Sequence, residues 1–181
     1  MIGMKKIHSQ EIYKNKWLTL KEDIIVRNNG QEGVFSVVEK EDFVVILPID
    51  DNFIYVVEQY RYPVKEKTLE VPQGSFESGL DNDLEDAAKR ELQEETGLRA
   101  GKMTYIGYQF LATGFCNQGF KIFVASDLEQ GNSCLDDEEE DLITKKMKIT
   151  DFEKCILNDE IKDSTTTTAY LLAKLKGYIK L

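Results

Sequence analysis

The sequence predicts an α+β fold, with helices packed around mixed β-sheets. Three observations carry this. Strand-like segments dominate the first 72 residues, apolar spacing then switches to steps of three and four over Leu84–Glu95, and two further helical segments close the chain. The 181 residues suit one domain, and 41% hydrophobic content with three prolines describes a packed globule rather than a disordered chain.

Taken in order, Trp17–Arg27 mixes β-branched and polar residues as a strand. Asn28-Asn29-Gly30 supplies a turn, and Gly33–Val38 returns as the second arm of a hairpin. Phe43–Ile49 is almost wholly apolar, the pattern of a strand buried on both faces. Asp50–Asn52 turns the chain into Phe53–Val57, and a short strand at Thr68–Val71 stops at Pro72. Leu84, Ala87, Ala88 and Leu92 form the apolar stripe of a helix, with Asp81, Asn82 or Asp83 available to cap its start and Gly97 to end it. Met103–Phe110 and Phe120–Ala125 read as strands and Asp127–Asp141 as an acid-rich loop. Helices are predicted near Asp151–Leu157 and Thr165–Ile179. The threonine run Thr165–Thr168 has poor helix propensity, so packing through Tyr170, Leu171, Leu172 and Leu175 must hold the last helix.

Charge narrows the function. With 33 acidic and 23 basic residues the net charge is −10, which repels nucleic-acid backbones. An anionic substrate would need something cationic between it and such a protein, for which a divalent metal is the natural candidate. The single histidine, His8, excludes a multi-histidine zinc site and speaks against a Ser-His-Asp or Cys-His centre. Three cysteines without C-x-x-C spacing read as reduced thiols, and no apolar run is long enough for a membrane span, so a cytoplasmic protein is expected.

The strongest chemical constellation is Arg90-Glu91-Leu92-Gln93-Glu94-Glu95-Thr96-Gly97-Leu98. Glu91 and Glu95 lie four apart and project from one helical face, with Glu94 beside them. Carboxylates so clustered suit a hard cation, Mg²⁺ or Mn²⁺, and Arg90 can orient one of them. Glutamate-rich helical faces are usually only solvated, so the surrounding Pro72-Gln73-Gly74 turn and Thr96-Gly97-Leu98 ending matter.

With those residues in place, Gly74–Leu98 resembles the Nudix box, G-x5-E-x7-R-E-U-x-E-E-x-G-U with U apolar. Its second half matches at Arg90, Glu91, Leu92, Glu94, Glu95, Gly97 and Leu98. In the first half two extra residues fall within Gly79–Asp83, displacing the expected glutamate and leaving Asp81 or Asp83 as its replacements. Over residues 12 to 175 the chain is most similar to the ADP-ribose pyrophosphatase branch. Tyr55–Pro63 resembles that branch's V-x-Q-Y-R-Y-P strand, Leu69–Gly74 its L-E-x-P-A-G, and Asp137–Leu142 its acidic loop. Thr113 stands where the branch usually has proline, and Gln118 where glutamate is common.

The resemblance implies a Nudix-like α/β/α sandwich, with 1–40 an N-terminal strand and hairpin segment and 41–181 the hydrolase domain. It implies cleavage of a nucleoside diphosphate sugar, ADP-ribose first, to AMP and ribose 5-phosphate. GDP-mannose or another nucleotide sugar is the alternative, and a catalytically silent nucleotide sensor the alternative of another class. Metal ligands would be Glu91, Glu94, Glu95, the main-chain carbonyl of Gln73, and Glu140. Glu138 would be the general base with Glu139 as second choice, and Arg90 would assist. Arg61 would hold phosphate, Gly74 would line the substrate site, Glu70 would contact the base or a partner subunit, and Trp17 is a candidate stacking surface. A homodimer is expected through the N-terminal hairpin, with no nucleic-acid or membrane partner.

Overall fold

A computed structural model describes residues 3–75, 83–131 and 141–179. The chain forms two compact units, Met1–Asp42 with Gln109–Gly119, and Phe43–Tyr108 with Phe120–Leu181.

In the first unit β1 (Lys5–Lys14), β2 (Thr19–Val26) and β3 (Glu32–Glu39) make a three-stranded antiparallel sheet in that order. The hairpin of β2 and β3 follows the sequence reading. The strand β1 does not: it has no apolar alternation and every residue in it is exposed. It forms because the free edge of β2 offers a row of backbone groups, paired from Lys5↔Val26 to Lys14↔Thr19. Val38 joins the segment from the distant part of this unit, its N–H donating to Phe115 O at 2.7 Å and its carbonyl accepting from Asn117 N at 3.1 Å.

The second unit is built on β4 (Phe43–Asp50), β5 (Phe53–Arg61), β8 (Leu98–Phe110), β9 (Gly119–Gln130) and β10 (Ile143–Lys148), in spatial order β10-β5-β4-β9-β8. Two short strands extend it, β6 (Glu66–Glu70) on β5 and β7 (Gln73–Ser75) on β4. The sheet is mixed, since β4 runs parallel to β9 and antiparallel to β5. Alternation along β4 divides the core. Val45, Leu47 and Ile49 join the cluster containing α2 (Ile149–Leu157) and α3 (Ser164–Leu175), while Val44 and Ile46 pack with Ala87, Ala88 and Leu92 of α1 (Leu84–Thr96). The unit is the expected α/β/α sandwich.

Several boundaries differ from expectation for local reasons. The strand β10 was hidden in the sequence by its lysines. It is held by full pairing to β5 and by Lys145–Glu58 and Lys146–Asp50 ion pairs at 2.5 and 2.7 Å. Asp127–Gln130, expected as loop, completes β9, and α3 stops at Leu175. Asp83 is the residue that caps α1, accepting from Glu85 N and Asp86 N at 2.8 and 2.9 Å. Gly97 ends that helix at φ 72° with its N–H on Gln93 O. No helix among the described residues is long and apolar enough to cross a membrane.

Candidate active site

The helix α1 buries a stripe that begins apolar and ends charged. Ala87, Ala88 and Leu92 are fully buried, and the same stripe then carries Glu91 and Glu95, only 7% and 1% exposed. A neighbouring strand makes this possible for Glu91. A Cβ on Gly74 of β7 would fall on the Glu91 carboxylate, so glycine supplies the space that carboxylate occupies. Arg90 fixes the turn: Nη1 donates to Glu94 Oε2 at 2.8 Å, and Nη2 reaches Glu91 Oε1 at 3.0 Å and the Ser75 carbonyl at 2.9 Å. Arg90 was expected to orient one carboxylate; it holds two, and the end of β7 as well.

Beside this turn lies a second polar group. Arg61, ending β5, grips the buried Glu70 of β6, with Nε to Oε1 at 3.0 Å and Nη2 to Oε2 at 2.6 Å. Glu70 also accepts from the Thr68 hydroxyl and from Gln73 Nε2, so its carboxylate is turned inward and saturated by protein donors. Burial works to lower the Arg61 pKa. The hydrogen bonds and charge of Glu70, then the charges of Glu95 and Asp163, more than reverse this and raise it.

Sequence reading passed over several residues here. Gln59 is 5% exposed and shares its face of β5 with Arg61 by strand alternation. Its Nε2 has no hydrogen-bond partner among the described residues. Thr144 of β10 donates to the Glu95 carbonyl at 3.0 Å, and Asp141, the last acid of the acidic run, accepts from Tyr60 N at 3.1 Å. From α3, Thr165 Oγ1 donates to Gln73 Oε1 at 2.8 Å, and Thr166 Oγ1 accepts from Val71 N at 3.0 Å. The threonine run that reads as a poor helix is thus the hydrogen-bonding first turn of α3, capped by Asp163, whose Oδ2 accepts from Thr166 N at 2.8 Å.

The structure therefore brings Arg61, Glu70, Gln73, Gly74, Arg90, Glu91, Glu94 and Glu95 into one unit. Trp17 belongs to the other, exposed beside Lys16, whose Nζ lies 4.0 Å from the ring centroid. There it lines a hollow of about 340 Å³ with Lys14, Lys40 and Asn117. Glu138, Glu139, Glu140 and Asp81 lie outside the described residues. Asp83, the other candidate for the displaced glutamate, commits Oδ1 of its carboxylate to the helix cap. Gln118 donates from Nε2 to the Glu41 carbonyl at 2.7 Å, a bond that a glutamate carboxylate at that position would not form.

The donor chemistry fits a hard divalent cation. Glu91, Glu94 and Glu95 present carboxylate oxygens from adjacent turns, and Gly74 leaves one of them room that a side chain would fill. Among the described residues no three acidic side chains yet converge to enclose an ion.

A NUDIX domain model matches residues 40–165, and the model of a nucleoside diphosphate sugar hydrolase N-terminal domain matches residues 4–38. The chain belongs to the Nudix hydrolase family. The ADP-ribose pyrophosphatase of Bacillus subtilis (strain 168) is 30% identical over 178 residues, covering 95% of this chain and 93% of that protein. The methanol dehydrogenase activator of Bacillus methanolicus is 29% identical, covering 97% and 95%. Among solved structures, one described as an ADP compounds hydrolase superposes with a TM-score of 0.85 at 21% identity over 97% of each chain, which shows the fold. On this Nudix frame α1 carries the second half of the box, β7 its opening glycine, and Asp83 the cap between them.

Proposed function

We propose that this Nudix hydrolase cleaves the diphosphate of a nucleoside diphosphate sugar, with ADP-ribose giving AMP and ribose 5-phosphate, in a reaction that requires Mg²⁺ or Mn²⁺. One observation carries the reading. Two carboxylates, Glu91 and Glu95, are buried on the core stripe of a helix, an arrangement with a folding cost that a bound divalent cation offsets. The likeness to an ADP-ribose pyrophosphatase along nearly the whole of both chains supports the choice of substrate.

Glu91, Glu94, Glu95 and the Gln73 carbonyl would hold the cation, with Glu140 adding a contact. When bound, the cation neutralises diphosphate charge and acidifies a water. The protein's residues do the rest. Glu138 accepts the proton of the attacking water, with Glu139 the second choice. Arg90 keeps the Glu91 and Glu94 carboxylates in place. Arg61, oriented by Glu70, turns its remaining Nη1 donors to a phosphate oxygen. Trp17 offers its indole to the base, the N-terminal sheet joins two copies into a dimer, and the enzyme works in the cytoplasm.

A second reading draws on the relative named methanol dehydrogenase activator: the chain activates a dehydrogenase. Product analysis separates the two. Purified protein with Mg²⁺ is incubated with ADP-ribose, GDP-mannose, ADP-glucose and NADH, each with an EDTA control, and a methanol dehydrogenase assay is run alongside. AMP released from ADP-ribose ahead of the rest, and abolished by EDTA, is the expected result. Faster turnover of GDP-mannose keeps the reaction and replaces the substrate. No turnover with a stimulated dehydrogenase supports the second reading, and no turnover without stimulation supports a silent sensor.

A further inference from the structure

The residue before the opening glycine of the Nudix box is alanine in the pattern this chain resembles, and here it is Gln73. Its side chain spans two elements far apart in sequence. Nε2 donates to Glu70 Oε2 at 2.5 Å, and Oε1 accepts from Thr165 Oγ1 at 2.8 Å, across 92 residues. The next residue, Gly74, is the one whose missing Cβ leaves room for the Glu91 carboxylate. Three positions before that glycine, the N–H of Val71 is held by Thr166. The segment Glu70–Gly74 is therefore fastened at both ends of its turn to the first helical turn of α3, itself fixed by its Asp163 cap.

We infer that the Gln73–Thr165 hydrogen bond is a strut that positions the Gln73–Gly74 peptide against Glu91, which makes Gln73 and Thr165 positioning residues of the hydrolase. The inference rests on the proposed function, since that peptide matters through the cation which Glu91 and the Gln73 carbonyl would hold. Alanine at 73 could not form the strut. In this chain α3, which carries none of the box, therefore shares in setting the site. The Thr165 hydroxyl has one proton and two acceptors in reach, Gln73 Oε1 and, at 2.5 Å, Asp163 Oδ2, so the strut and the helix cap draw on the same group.

The test compares Thr165→Val, Thr165→Ser, Gln73→Ala and the double variant Gln73→Ala/Thr165→Val with the wild-type protein. Free Mn²⁺ is titrated by electron paramagnetic resonance, kcat and KM are measured on ADP-ribose, and Tm serves as the control for folding. Thr165→Val should weaken Mn²⁺ binding and lower kcat by about fivefold to tenfold, the scale of one hydrogen bond, with KM held within about twofold. Thr165→Ser should restore both. The double variant should fall short of the product of the two single effects, because both substitutions remove the shared bond, while Gln73→Ala also loses the bond to Glu70 and Thr165→Val the one to Asp163. Should Thr165→Val fail to fold, Gln73→Ala carries the comparison. Variants that match a wild type which binds Mn²⁺ and turns over overturn the strut alone, as do single effects that multiply in the double variant. A wild type that neither binds Mn²⁺ nor turns over overturns the proposed function and the strut with it.

Discussion

The two faces of the central sheet in the second unit are covered by helices and buried to a similar degree, yet they are built for different ends. Toward α2 and α3 the face is apolar: Val45, Leu47, Ile54, Val56, Ile122 and Phe152 meet there, with Tyr170 against Phe152 at a ring separation of 4.9 Å. Toward α1 the apolar cluster of Val44, Ile46, Ala88 and Leu92 is smaller, and the helical stripe that forms it continues into Glu91 and Glu95. An apolar side chain buried at either glutamate would add on the order of 1.5–3 kcal/mol of stability. A buried carboxylate instead takes on a desolvation cost. The first face holds the fold together, and the second gives up part of that stability to keep charge inside.

Substitutions on either face can break this contrast. Gly74→Ala should lower turnover by about a hundredfold, because the new Cβ displaces the Glu91 carboxylate, with little change in Tm since a side-chain end moves rather than backbone. Wild-type kcat in that variant would detach Gly74 from the site. Phe152→Ala on the other face should cost about 3–5 kcal/mol in urea unfolding while the remaining folded fraction keeps its kcat. A loss confined to kcat would show that the faces are not divided as described.

The smallest effect sharpens the contrast through pH. On the α2/α3 side, hydrogen bonds from Lys174 and then Tyr170 hold the Glu153 pKa below its ordinary 4.5, against the opposing pull of desolvation. A carboxyl depressed on folding adds stability above its unfolded pKa and loses it as pH falls through the folded value. Glu153→Gln should therefore lower stability at pH 7 by about 0.5–1 kcal/mol, given the partial exposure of the pair, and the difference should shrink as the pH falls from the ordinary 4.5 through the depressed folded value. A difference constant from pH 7 to pH 3 would assign the effect to packing.

The same contrast explains what could be read in advance. Phe43–Ile49 announced a doubly covered strand because both faces demanded apolar residues, and the four-residue spacing of Glu91 and Glu95 announced one helical face. The strand β1 could not be seen, since backbone pairing alone holds it and its exposed side chains follow no period. Nor could Thr165 or Thr166 be assigned, because their partners lie 92 and 95 residues away and nothing local marks a threonine hydroxyl as a long-range donor or acceptor. Glu70 was legible as a motif position. Its saturation by Arg61, Thr68 and Gln73 needed three elements to meet.

The claim that the α1 face trades stability for chemistry is tested most directly at Glu95, 1% exposed on that stripe. Glu95→Gln keeps the shape and removes the charge. Urea unfolding without metal and Mg²⁺-dependent release of AMP from ADP-ribose, measured on one preparation, should show stability equal to or above wild type and turnover lower by about a hundredfold to a thousandfold. A variant that unfolds more easily while turning over normally would contradict the account, because Glu95 would then serve the fold and not the reaction.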